Sequence, residues 1–293
     1  MERTTLASTS ELPNWAHEGI AYSIHTSWGE YLTATSVRTT PVLYRGQRDP
    51  KWTLQSLWER DLDPIREVLR PGRRPRDTMI PGAFEANRDA FLRHFKEQVQ
   101  MLTRAGAPVP QTDASWWAFG RHQGLITPLL DWTTNPEVAA FFAMIDWVDW
   151  INPFRLSEEE EQRRRQECQY VAIWQLTIQD GLFDEGVFEL VDVEHPSSRQ
   201  QRQSGMFTML LDDKHTGTVD YLRSRGLTRA LHVHLIPSHD CSLSLANLHD
   251  RGIHYASLFP DPYGAAMYAN FRQFVKPQSL EEYMKGAQRR LRS

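Results

Sequence analysis

The sequence lacks most of what would place it in a membrane or outside a cell. Only two of its 293 residues are cysteine, Cys168 and Cys241. That is too few for a disulfide framework, so a reducing compartment is expected. No uncharged apolar run of about 18 residues occurs, and Met1 to Trp15 holds no apolar stretch of signal-peptide length. A cytoplasmic location without membrane association follows as the expectation. Net charge is low as well, with 33 Lys and Arg against 37 Asp and Glu giving −4. Global attraction to nucleic acid or anionic lipid is thereby excluded, although a local basic groove is not. Internal repeats at solenoid or propeller periods are absent too.

What the chain does have is large apolar side chains: 10 Trp, 9 Tyr and 13 Phe in a composition that is 40% hydrophobic. Each such side chain contributes roughly 1.5–3 kcal/mol when fully buried, enough for a sizeable core. Gly19 to Val37 is moderately amphipathic and reads as an N-terminal helix. Pro41 to Tyr44 reads as a short extended run that ends in Arg45-Gly46-Gln47. Arg70 to Arg76 carries four arginines among prolines and glycine, a loop composition. Apolar residues at Phe84, Phe91, Phe95, Val99 and Leu102 share one helical face, and another helix starts near Thr112–Asp113. Asn135-Pro136-Glu137 is a strong helix start, and the following Val138 to Ile145 is apolar nearly all round, which predicts a buried helix. Ser157 to Glu160 has capping-box spacing, with Glu159, Glu160 and Glu161 each four residues before an Arg, so a solvent-facing helix follows. Strands are expected at Tyr170–Thr177, Val187–Val193, Met206–Leu211 and Ala230–Ile236. Helices are expected at Ser244–Asp250, Pro262–Phe274 and Ser279–Leu291. The order implies an α+β fold, a mixed sheet flanked by helices, in a single domain over residues 1–293.

Three segments concentrate the residue types that do chemistry. Tyr44-Arg45-Gly46-Gln47 sets a guanidinium beside a glycine at the end of an apolar run, an arrangement that suits a phosphate or carboxylate. His122 to Thr133 is dense in polar and aromatic groups and leads as a loop into the buried helix. Asn135 or Thr134 is better placed than Asp131 to cap that helix, so Asp131 is spare. Arg199 to Phe207 is a polar loop before a strand.

In this order the segments resemble a family. Tyr-Arg-Gly-Gln at 44–47, His122-x-Gly-x-x-Thr-x-Leu-Leu-Asp-Trp-Thr-x-Asn-Pro136, Arg199-x-x-x-Gln-x-Gly-x-Phe207, and Gly252-Ile253 with Leu258-Phe259-Pro260-Asp261 look like the FRG domain, over about residues 40–270. Two positions depart from its pattern: Arg121, where the family usually has Gln, and Pro128, where it usually has Arg. The second departure removes a cation from the region.

A further likeness is to mono-ADP-ribosyltransferases, whose first-strand Tyr-Arg is followed by Ser-Thr-Ser and then by a helix with Asp-Pro-x-Val-Ala and Phe-Ala. On that resemblance Arg45 orients NAD, Asp131-Trp132-Thr133 takes the Ser-Thr-Ser position, and Gln203 stands where the superfamily usually carries Glu. The resemblance implies a split sheet, NAD as substrate and a macromolecular acceptor, nucleic acid or protein. It also implies the role of a toxin or anti-phage effector, with an antitoxin or regulatory partner. The implied catalytic residues are Arg45, His122, Asp131 and Gln203. Tyr44, Gly46, Gln47, Thr127, Trp132, Thr133, Arg199 and Phe207 complete the implied NAD site, with no metal. Two other classes stay open. A metal-dependent hydrolase would use His232, His234 and His239. A non-catalytic nucleotide-binding module would use the same residues without turnover.

Overall fold

Alternation and side-chain capping set the first elements of the computed structural model, which describes residues 16–36, 40–60, 88–102, 109–151, 156–191, 197–212 and 214–272. Ala21–Ile24 form β1, and Ser27 then accepts a hydrogen bond from the Glu30 backbone to start α1 (Trp28–Thr35). The single helix expected over Gly19–Val37 is therefore a strand and a shorter helix. Ile20, Tyr22 and Ile24 alternate into one core, the period of a strand, and that period wins over weak amphipathicity.

The strand β2 (Val42–Gln47) is followed by α2 (Arg88–Leu102), α3 (Asp113–His122), β3 (Leu129–Thr133) and α4 (Pro136–Trp150). The Thr112 side chain caps α3, and the Asn135 side chain accepts from the Glu137 backbone to cap α4, with Pro136 in the first turn. Next come α5 (Glu158–Glu167), β4 (Tyr170–Thr177), β5 (Phe188–Val191), α6 (Ser198–Arg202) and β6 (Gly205–Leu210). The last elements are α7 (Thr218–Ser224), β7 (Leu231–Pro237), α8 (Cys241–Asp250), α9 (Tyr255–Leu258) and α10 (Pro262–Arg272). The helix expected at Ser279–Leu291 and the arginine loop at 70–76 lie outside the described residues.

The strands form one seven-stranded sheet in the order β1-β7-β4-β2-β3-β6-β5. Only β1 and β7 run parallel among its pairings, so the sheet is mixed and the fold is α+β. Both faces are covered. Val171 and Ile173 of β4 join the core beneath α4 and α8, while Ala172, Trp174 and Leu176 join the core on the opposite face. A third cluster packs α2 and α3 against Leu129, Phe207 and Met209. As its sequence requires, α4 is buried on most sides; α5 is exposed, with Glu160–Arg164 and Glu161–Arg165 paired as expected, whereas Arg163 pairs with Glu160 and Glu167 in place of Glu159.

One seam in this sheet differs from the rest. β2 pairs with β4 over the six positions Val42–Gln47, and β3 pairs with β6 over the five positions Leu129–Thr133. Between β2 and β3 a single pair remains, Tyr44 opposite Thr133. Beyond that pair the backbone ladder between the two strands ends, and this break in the pairing is the opening of the sheet.

Candidate functional site

Arg45 follows the last shared position of β2 and β3 and reaches across the opening. Its Nη1 donates to the main-chain carbonyl of Asp131 at 2.8 Å. The guanidinium thus gives the edge of β3 the donor that a neighbouring strand would otherwise supply. The same nitrogen lies 3.6 Å from Asp131 Oδ2, an ion pair but too long for a hydrogen bond.

The carboxylate is held more closely by another cation. Arg121, in the last turn of α3, places Nη2 2.6 Å from Asp131 Oδ2 and Nε 3.3 Å from Oδ1. This two-point fork is the strong form of an arginine–carboxylate contact. Burial works to lower the Arg121 pKa, but the Asp131 charge and its hydrogen bond outweigh that and leave it raised. For Arg45 the balance has the opposite sign. Burial lowers its pKa against the pull of Asp131, and the like charges of Arg121 and Arg60 lower it further. Arg45 Nε is also buried with no hydrogen-bond partner among the described residues. Two guanidiniums, Arg45 and Arg121, thus meet at the Asp131 carboxylate.

The third sequence segment closes on the same strand end. Thr133 Oγ1 donates to the Gln203 carbonyl at 2.6 Å and accepts from the Asn135 backbone at 3.0 Å. The side-chain amide of Gln203 donates to the Leu258 carbonyl at 3.2 Å. On α6, Arg199 pairs with Asp261 and lies over the rings of Phe259 and Tyr263, at 5.4 and 5.5 Å from their centroids. The Arg199–Phe207 and Leu258–Asp261 segments are therefore one folded unit beside Thr133.

The other residues singled out in the sequence sit in the framework. Tyr44 is buried in the core beneath α4. Gln47 accepts from the Trp174 indole and donates to the Thr53 carbonyl. Thr127 is fully buried, and its carbonyl accepts from the Trp58 backbone. Trp132 is buried with its indole N–H on Thr208 Oγ1, and Phe207 is buried opposite Asp131. Neither Tyr44 nor Trp132 is exposed at the opening. His122 ends α3, and its side chain lies outside the described residues. The reading of the sequence left out Arg121 and Arg60. Arg121 had a signal: it is a cation immediately before the His122–Thr133 segment.

His232 and His234 do not converge on His239. His234 bonds to His25 Nε2 at 3.0 Å and to Gln175 at 3.1 Å, His232 bonds to Ser23 at 2.9 Å, and the His239 side chain is mostly exposed. Among the described residues no group of His, Cys, Asp and Glu is arranged to hold a metal ion. Nor is any described helix long and apolar enough to cross a membrane.

Comparison with known proteins adds one finding. Residues 40–148 match the model of the FRG domain, whereas no curated protein and no solved structure matches the chain. The match takes in β2, β3, Arg45, Arg121 and Asp131 and ends within α4. The segments at Arg199–Phe207 and Gly252–Asp261 lie beyond it. The opening between β2 and β3 is thus built from matched sequence, and over residues 40–148 this chain is an FRG domain.

Proposed function

We propose that the chain binds NAD at the opening between β2 and β3 and transfers its ADP-ribose to a macromolecule. One observation carries the reading. Arg45 and Asp131, 86 residues apart in sequence, come within 3.6 Å of each other where the sheet opens. Through Thr133, Gln203 is tied to the same strand end. On the resemblance to mono-ADP-ribosyltransferases these three fall at its motif positions, Arg45 as a match and Asp131 and Gln203 as departures.

The chemistry follows from the charges. The arginines suit the two adjacent phosphates of NAD. Heterolysis of the bond between ribose and nicotinamide sends its electron pair to nicotinamide, which leaves neutral. An acceptor hydroxyl or amine on nucleic acid or protein then captures the ribosyl cation, and its proton passes to a base. Asp131 is the carboxylate placed to stabilise that cation, and His122 is the base the sequence offers. Buried free thiols at Cys168 and Cys241 fit work in the cytoplasm, as a toxin or anti-phage effector under the control of a regulatory partner.

A second reading has its own observation. Asp131 already carries the Arg121 fork, and Gln203 stands where the superfamily has Glu, which favours nucleotide binding without turnover. Incubation of adenylate-labelled NAD with cell extract separates the two, using the intact chain, Arg45→Ala and Asp131→Ala. Label entering macromolecules with the intact chain alone supports transfer. Saturable NAD binding without nicotinamide release supports the binding module, and no NAD binding by the intact chain removes both.

A further inference from the structure

We infer that Arg121 is a positioning residue, which captures the Asp131 carboxylate so that the charge of Arg45 is left for a diphosphate ligand. The identity of the ligand rests on the NAD reading; the arrangement of charge rests on geometry alone.

Two cations compete for one carboxylate at the opening, and the distances say which one has it. Arg121 meets both Asp131 oxygens, at 2.6 and 3.3 Å. Arg45 hydrogen-bonds instead to the Asp131 main-chain carbonyl, with the carboxylate at 3.6 Å. Its Nε is buried and has no partner among the described residues. Desolvation and the nearby charges of Arg121 and Arg60 all disfavour the Arg45 cation, so an incoming anion relieves it.

Without Arg121 the carboxylate would have a near alternative. A rotamer change in Asp131 closes the 3.6 Å gap to Arg45 and forms a charge-assisted hydrogen bond in a partly buried place. Asp131 would then act as an internal competitor of the ligand. Arg121 prevents this, and a merely structural arginine would not.

The test is a double-mutant cycle on the full chain, with binding of inorganic pyrophosphate and of NAD followed by calorimetry. Arg121→Gln is expected to weaken pyrophosphate binding by roughly tenfold or more, because Asp131 now neutralises Arg45. Asp131→Asn should bind pyrophosphate more tightly than the intact chain. Arg121→Gln combined with Asp131→Asn should recover the affinity that Arg121→Gln loses. A double variant no better than Arg121→Gln overturns the inference, as does an Arg121→Gln chain that binds as well as the parent. Should Arg121→Gln fail to fold, Asp131→Asn still decides, since weaker pyrophosphate binding there overturns the inference. Pyrophosphate bound with this dependence on Arg121, but with NAD left uncleaved, keeps the inference and removes the transferase reading. NAD cleaved equally well by Arg121→Gln and the parent, at unchanged pyrophosphate affinity, does the reverse.

Discussion

Gly46 and Ala139 meet backbone to backbone: a Cβ on Gly46 would lie 1.9 Å from the Ala139 carbonyl oxygen and 2.8 Å from the Ala143 nitrogen. The glycine next to Arg45 is thus demanded by the seat of α4 on β2, and the small residues Ala139, Ala140 and Ala143 complete the close approach. Any larger residue must lift the helix or bend the strand that carries Arg45. Overpacking against fixed backbone costs about 3 kcal/mol or more. Gly46→Ala should therefore lower the thermal midpoint by roughly 6–12 °C or prevent soluble accumulation. A melt that overlays the parent's would contradict this account of the glycine.

The pairing of Arg199 with Asp261 predicts that two distant segments are energetically coupled. Both side chains are about a third exposed, so the ion pair alone is modest. Stacking of the guanidinium on Phe259 and Tyr263 adds to it. Arg199→Gln and Asp261→Asn should each lower the urea midpoint, and the double variant should lower it by less than their sum. Strictly additive losses would show that the two residues do not act together.

A cluster of three histidines, two of them buried, predicts that acid loosens the junction of β1, β7 and α1. His25 and His234 stack at 5.2 Å, and His232 lies 4.7 Å from His234. Facing them are Ser23 of β1, Tyr31 and Glu30 of α1, and Gln175 of β4. Burial, helped by His25, pushes the pKa of His232 down to about 4. Burial also drives that of His234 well below the usual value and lowers that of His25 against the pull of Glu30. A histidine whose folded pKa is depressed is neutral in the fold, so the unfolded chain binds more protons. Stability is then full above about pH 6.5 and falls as the pH drops toward 4. His232 alone should cost about 2 kcal/mol by pH 5. Urea unfolding between pH 7.5 and 4.5 checks this, with His232→Asn expected to flatten the curve. A parent stability that is level across that range would sink the prediction.

Much of the frame was legible in the sequence because local signals there agree with tertiary ones. The Asn135-Pro136 cap, the apolar run of α4, the branched and aromatic run of β4 and the alternation of Leu231, Val233 and Leu235 with His232 and His234 in β7 each have one reading, and the structure adopts it. β1 and β3 were less legible. In β1 a four-residue strand borders a capped helix, and its period is lost in the helical average. In β3, Leu129-Leu130-Asp131-Trp132-Thr133 sits between Pro128 and Pro136, so it reads as a loop; pairing with β6, far along the chain, makes it a strand. The site was half legible. Arg45 and Asp131 stood out by type and position, but their meeting depends on a seam with a single paired position, which no local pattern encodes. Arg121 is the instructive miss. As a departure from the family pattern it looked incidental, yet it brings a cation to the region where Pro128 leaves none.

Gln203 offers a test of how nearly the opening is set up for a carboxylate. Its amide donates to the Leu258 carbonyl at 3.2 Å, half-buried beside Thr133. In Gln203→Glu an ionised side chain has no proton to give, and two acceptors would face each other. Losing that bond while opposing a carbonyl should cost about 1–2 kcal/mol at pH 7. The introduced carboxyl would then have a folded pKa above its unfolded value of about 4.3. Its penalty should therefore shrink as the pH falls and protonation restores a donor to Leu258. Unfolding curves of variant and parent at matched pH give the difference directly, because the histidine effect is common to both. A penalty that is absent at pH 7 and grows in acid would mean that the carboxylate has turned away from Leu258 and found an arginine. The position could then carry the acidic residue of the transferases without rebuilding its surroundings.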